Sequence, residues 1–92
     1  MKKAARYLVK GTVQGVFFRQ FVDQIADQYK MKGFVRNLDE GDVEVVVEGE
    51  GENLDRFEKA LHVGPEHSNI RKIDKEERKW EGEFKEFKII RF

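Results

Sequence analysis

Between residues 18 and 29, Phe18, Phe21, Val22, Ile25, Ala26 and Tyr29 recur three and four positions apart, with polar residues in the gaps. That period lays one apolar face along a helix, which is expected to end near Met31-Lys32, where Gly33 stands ready to stop it. Elsewhere the period is closer to two. RYLVKGTV (6–13) reads as a β-branched and aromatic strand with a thin spot at Gly11. GFVRNL (33–38) and DVEVVVEG (42–49) read as strands joined by a hairpin turn at Asp39-Glu40-Gly41. In the second of these, Val43, Val45 and Val47 alternate with Glu44 and Glu48, which predicts one buried and one wet face, with Val46 an exception. Glu52 to Leu61 predicts a second helix capped by Asn53, with Leu54, Phe57, Leu61 and Ala60 turned inward. GPEHSN (64–69) is a loop, residues 70–80 form a charged strand, and Phe84 to Phe92 form a last strand.

The predicted order is β-α-β-β-α-β with an added C-terminal strand. Two helices cover one face of such a sheet, so the expected class is α+β, a ferredoxin-like split βαβ with an antiparallel-dominated sheet. No linker, low-complexity tract or short repeat interrupts the 92 residues, and a single domain over 1–92 is expected. Its length permits a modest core without disulfides or metals.

Composition narrows the function classes. Charged residues make up 39% of the chain, above the ~25% typical of soluble domains, yet 18 basic residues balance 18 acidic ones. Zero net charge argues against a nucleic-acid or membrane-surface protein driven by bulk electrostatics. The chain has no cysteine, which removes disulfides, thiolate nucleophiles and thiolate metal ligands. Arg6 and Lys10 interrupt the apolar stretch near the start, so no signal peptide is read there, and no segment is long enough to span a bilayer. A cytoplasmic, monomeric protein is the expectation.

The junction between the first strand and the first helix, GTVQGVFFRQ (11–20), departs from local rules. Gln14-Gly15-Val16-Phe17-Phe18 offers no Ser, Thr, Asp or Asn as an N-cap, and the first charge is a cation, Arg19. A helix N-terminus already carries unpaired N–H groups and about half a positive charge. Gly15 permits φ > 0, which lets the loop curl its amides toward one centre, and a nest of amides beside a guanidinium fork suits a tetrahedral oxyanion such as phosphate. The plain alternative is a tight turn at Gly15 and an exposed Arg19. No GK[ST] follows, so this is not a Walker A loop. A C-x5-R phosphatase loop would need its nucleophile at Val13. Phosphate held here for hydrolysis would have to be attacked by water directly. With no acid nearby to protonate a leaving group, a mixed carboxylic-phosphoric anhydride is the favoured substrate, because its carboxylate leaves unaided.

These residues resemble the acylphosphatase family over nearly the whole chain: VKGTVQGVFFRQFV, GFVRNLDEGDVEVVVEG, the weaker Gly-Pro loop and GEFKEFKIIRF. The resemblance implies hydrolysis of a small-molecule acyl phosphate to carboxylate and inorganic phosphate, with no metal, no cofactor and no phosphoenzyme. It implies that Arg19 binds the phosphate, that backbone amides of Gln14, Gly15, Val16, Phe17 and Phe18 complete the cradle, and that Asn37 orients the attacking water. Taken alone, Asn37 reads as a turn-former beside the hairpin. The turn DEGD and the loop GPEHSN depart from the family pattern, which has an Asp-Gly turn followed by a hydroxyl residue and small or basic residues after Gly-Pro; the second departure leaves the shape of the rim open.

Other features carry rival readings. His62, Glu66 and His67 lack metal-ligand spacing and a third clear ligand, and read as solvent-exposed loop residues. Arg6, Lys32 and Arg36 are most simply solvated strand residues, with guidance of anions as the alternative. KIDKEERK (72–79) reads as the wet face of an edge strand. Trp80 either covers the open side of the core or joins an acyl-group pocket. KGFV (32–35) partly matches an RNA-binding strand motif, but its second aromatic is missing and the net charge is zero. A further alternative keeps the fold as an interaction or regulatory domain without turnover.

Overall fold

The computed structural model describes residues 1–13, 16–66 and 68–91, the side chain of Val16 excepted. The elements run β1 (Lys2–Thr12), α1 (Val16–Gln28), β2 (Lys32–Asn37), β3 (Val43–Glu50), α2 (Gly51–Val63), β4 (Asn69–Arg78) and β5 (Phe87–Ile90). The strands form one sheet in the order β4-β1-β3-β2-β5. β3 is antiparallel to both β1 and β2, β4 is antiparallel to β1, and β5 lies parallel to β2. This is the expected split βαβ plan: β1-α1-β2 and β3-α2-β4 interlock, each pair of parallel strands accommodating one strand of the other unit.

Both helices pack on one face of the sheet. Tyr7 and Val9 from β1, Val35 from β2, and Val43, Val45 and Val47 from β3 meet Val22 and Ala26 of α1 and Phe57 and Leu61 of α2. The alternation within the strands and the three-four spacing within the helices produce this core. The helix α1 buries Phe18, Val22, Ile25 and Ala26 as predicted, while Phe21 and Tyr29 are half-buried at its margin. One polar tie crosses the layers: the Tyr7 hydroxyl donates to Glu58 of α2 at 2.7 Å, and Lys75 of β4 pairs with the same carboxylate at 2.8 Å. Burial first, and then the bond to Glu58, pushes the Tyr7 phenol well above its ordinary pKa.

Several boundaries differ from expectation for local reasons. The helix α1 stops at Gln28, before Gly33, because Lys30 takes a left-handed φ of 58°. Met31 N–H then donates to the Ala26 carbonyl and Lys30 N–H to that of Asp27, a Schellman closure achieved without glycine. Gly33 instead lies within β2 at φ 143°, where a Cβ would fall 1.8 Å from the Val46 carbonyl oxygen. Asn53 does not cap α2. The helix begins at Gly51, immediately after β3, with Glu50 in the cap position and no side-chain cap bond. Gly51 N–H is satisfied instead by the Met1 carbonyl at 2.8 Å.

The charged strand β4 is an edge strand, and its exposed lysines and acids suit that place. β5 is shorter than predicted, since residues 83 and 84 donate their amides to the Glu48 carboxylate rather than to a strand. The hairpin turn forms as expected: Leu38 N–H donates to the Asp42 carbonyl, Gly41 N–H to that of Leu38, and Gly41 takes φ 97°.

Gly33 and Gly41 should therefore respond differently to alanine. Gly41→Ala meets open space and bears only backbone strain, at a cost of about 1 kcal/mol. Gly33→Ala adds a collision with the β3 backbone and should cost more than ~3 kcal/mol or abolish folding. Urea unfolding midpoints of the two variants check the order.

Candidate functional site

β1 and β2 run parallel, so their C-terminal ends emerge on one edge of the sheet. The register on β3 makes the alignment specific: Val43 pairs with Val9 on one side and with Asn37 on the other. Asn37 thus stands two strand spacings, roughly 10 Å, from the C-terminal end of β1. The first turn of α1 contains no acidic residue and does contain Arg19, which is half-buried. The structure thereby places Arg19 and Asn37 at the same end of the molecule.

The candidate loop is only partly in view. Gln14 and Gly15 lie outside the described residues. Val16, Phe17 and Phe18 form the first turn of α1, whose amides have no carbonyl one turn back within the helix. Their side chains divide the work: Phe18 packs into the core, whereas Phe17 is 82% exposed. The cap position itself, residue 15, lies outside the described residues, and the first turn that follows it carries no acidic side chain.

Asn37 is the last residue of β2, ahead of the closing Leu38–Asp42 pair of the hairpin. Its amide oxygen is buried and has no hydrogen-bond partner among the described residues. Such an orphan acceptor costs about 1–3 kcal/mol, and it calls for an explanation of its own, such as a bound water or ion, local strain or a catalytic role.

The open face of the sheet overturns the wet-face expectation for β3. Glu44 and Glu48 are both buried. Glu44 accepts hydrogen bonds from Nε of Arg6 on β1 and Nε of Arg36 on β2, so neither arginine is a simple solvated strand residue. Glu48 accepts the backbone N–H groups of Glu83 and Phe84, at 3.4 and 3.0 Å. Phe84 then packs edge-on against Phe34, centroids 5.9 Å apart, which covers the ring that an RNA-binding reading needs exposed. Alternation on β3 alone did not signal these partners, because they come from other strands and from a segment 35 residues away.

Trp80 lies at the far end of the sheet from Arg19 and Asn37, under Lys2 Nζ at 4.9 Å, and lines a surface pocket with Lys32, Glu48 and Phe84. His62 is exposed, while His67 lies outside the described residues. Among the described residues no three His, Asp or Glu side chains converge as metal ligands. A cleft of about 660 Å³ opens on the β4 side of the loop, walled by Val13, Phe17, Phe21 and Pro65 with Glu66 on its rim. Neither Arg19 nor Asn37 lines it. Sequence reasoning did not foresee this cleft, since it joins α1 to a loop some 45 positions later.

The fold is a ferredoxin-like α+β domain, with the Arg19-bearing first turn of α1 and the orphan amide oxygen of Asn37 at the same end of the sheet. Comparison with known proteins agrees. The acylphosphatase family model matches residues 5–89. The acylphosphatase of Borrelia garinii subsp. bavariensis is 44% identical over 87 residues, covering 91% of this chain and 94% of its own length. The crystal structure of an acylphosphatase from Bacillus subtilis superposes with a TM-score of 0.91 at 36% identity, over 99% of this chain and all of that one. Full-length HypF, in a phosphate- and nucleotide-bound form, contains a similar region with a TM-score of 0.84 and 33% identity, spanning 12% of its chain. The chain belongs to the acylphosphatase family. No helix is long and apolar enough to cross a membrane among the described residues.

The Glu44 cluster sets a pH dependence. Burial raises the Glu44 pKa, but the hydrogen bonds and charges of Arg6 and Arg36 outweigh it and hold the carboxyl below its ordinary 4.5. A depressed folded pKa contributes stability that is present above about pH 4.5 and lost as pH falls through the folded value. Glu44→Gln should cost about 1–2 kcal/mol at pH 7, a figure reduced because both guanidiniums reach solvent. It should also flatten the acid limb of stability against pH, as followed by urea unfolding between pH 7 and 3.

Proposed function

We propose that this chain is a single-domain acylphosphatase, residues 1–92, which hydrolyses a small acyl phosphate to a carboxylate and inorganic phosphate. The observation that carries the reading is the buried, unpartnered amide oxygen of Asn37, set at the same sheet edge as the Arg19-bearing first turn in a chain of this family. The phosphoryl group sits on the amides of Gln14, Gly15, Val16, Phe17 and Phe18, clamped by the Arg19 guanidinium. Asn37 accepts a hydrogen bond from water and turns an oxygen lone pair toward phosphorus.

The water oxygen forms a bond to phosphorus while the bond from phosphorus to the acyl oxygen breaks in line with it. The electron pair leaves with the carboxylate. An amide is too weak a base to take the proton, which passes to a phosphate oxygen and leaves in the product. Charge spreads over the equatorial oxygens in the transition state, where preorganised N–H donors and a guanidinium act most strongly. The carboxylate needs no acid to depart, so the proposed mechanism uses neither a metal nor a phosphoenzyme. A monomer acting in the cytoplasm, without nucleic acid or membrane partners, completes the proposal.

Hydrolysis of benzoyl phosphate with EDTA present tests it. Arg19→Ala should lose phosphate binding and turnover together. Arg19→Lys should stay badly impaired, because a point charge does not replace the two-pronged fork. Asn37→Ala should keep inhibition by inorganic phosphate while kcat falls by at least about a hundredfold. Equal phosphate affinity in wild type and Arg19→Ala would sink the clamp.

A further inference from the structure

We infer that the acyl group of the substrate lodges in the cleft on the β4 side of the loop, and that this subsite selects apolar over anionic acyl groups. The inference rests on the acyl phosphate reading above and on three features that reading does not use.

The first is position. In the sheet order β4-β1-β3-β2, the loop leaves from β1, with Asn37 displaced toward β2 and the cleft displaced toward β4. Thr12 pairs with Asn69 at the start of β4, and Pro65, Glu66 and Ser68 face Val13 and Phe17 across the cleft. The helix repeats the division. At about 100° per residue, Arg19 lies roughly 160° around α1 from Phe17, and Phe17 and Phe21 face the cleft. In-line displacement demands that water and leaving group stand on opposite sides of phosphorus. With water held by Asn37, the departing carboxylate and its substituent point into the cleft.

The second is the wall. Phe17 exposes 82% of its surface, whereas the other aromatic residues of its helix, Phe18 and Phe21, are at least half-buried. With Val13, Phe21 and Pro65 it makes one apolar surface beside a volume of about 660 Å³. That space accepts an aromatic or branched acyl group and lies within the range of small-molecule sites.

The third is charge. Glu66 lines the cleft, and no lysine or arginine does so among the described residues. An acyl group bearing a second carboxylate meets a like charge there with no cation to offset it.

The test compares kcat/KM for benzoyl, acetyl and succinyl phosphate in wild type, Phe17→Ala and Glu66→Lys, each checked for folding and for inhibition by inorganic phosphate. Phe17→Ala keeps the backbone amide and should lower the benzoyl-to-acetyl ratio about tenfold, chiefly through KM. Glu66→Lys should raise the succinyl-to-benzoyl ratio several-fold at low salt and less at high salt. Ratios unchanged within about twofold in both variants would place the acyl group elsewhere while leaving the acylphosphatase reading intact. A folded wild type that turns over none of the three acyl phosphates would remove that reading, and the subsite with it.

Discussion

Val43 is hydrogen-bonded into the sheet between Val9 and Asn37, and that register on the central strand is the constraint from which the candidate site follows. A slip of one residue would turn Val43, Val45 and Val47 out of the core and carry Asn37 off the edge it shares with the first turn of α1. The core therefore enforces the alignment. Each of those valines is fully buried against the helices, so burial of apolar area opposes the shift more strongly than any local bond around Asn37 does. The three-residue turn through Gly41 fixes the same register from the other end.

The opposite face of β3 has a different logic. Two carboxylates are buried on it, and each serves a separate part of the chain. Glu44 draws Arg6 and Arg36 together across three strands, next to Asn37 in sequence. Glu48 gathers the amides of residues 83 and 84, and Gly33 N–H donates to the Glu86 carbonyl just before β5 begins. These contacts deliver the last strand to β2, where it runs parallel. Burying a carboxylate is unfavourable unless its oxygens are satisfied, and here both are, by guanidiniums in one case and backbone in the other.

How far this was legible depends on whether a residue's partner lies close in sequence. The period of α1, the hairpin at Asp39-Glu40-Gly41 and the core valines of β3 come from local pattern, and all appear as read. Glu44 and Glu48 were misread because alternation states which face a residue occupies, not what covers it. Asn53 was misread because the sequence does not show that α2 starts without a connecting loop, its first amide met by Met1 fifty residues earlier. Lys30 hid the end of α1 behind Gly33, whose φ is needed for its close approach to Val46. At the candidate site, local sequence singles out Arg19 and Asn37 as residues to look at, while the cleft depends on helix-to-loop proximity that no spacing encodes.

The chemical type of residue 37 follows from its surroundings under the proposed reaction. A carboxylate there would be the stronger base, yet it would sit buried beside a dianionic phosphate and repel it at a distance where little water intervenes. Its pKa would rise until it held a proton, and it would then cease to be a base. A neutral amide escapes both difficulties. Its oxygen would accept from water without adding negative charge. What the amide gives up in basicity is not needed when the leaving group is a carboxylate and phosphate oxygens stand ready to take the proton. The orphan acceptor at the end of β2 is thus matched to an anhydride substrate and would serve a simple phosphate ester poorly, since an alkoxide leaving group needs a proton that this edge does not supply.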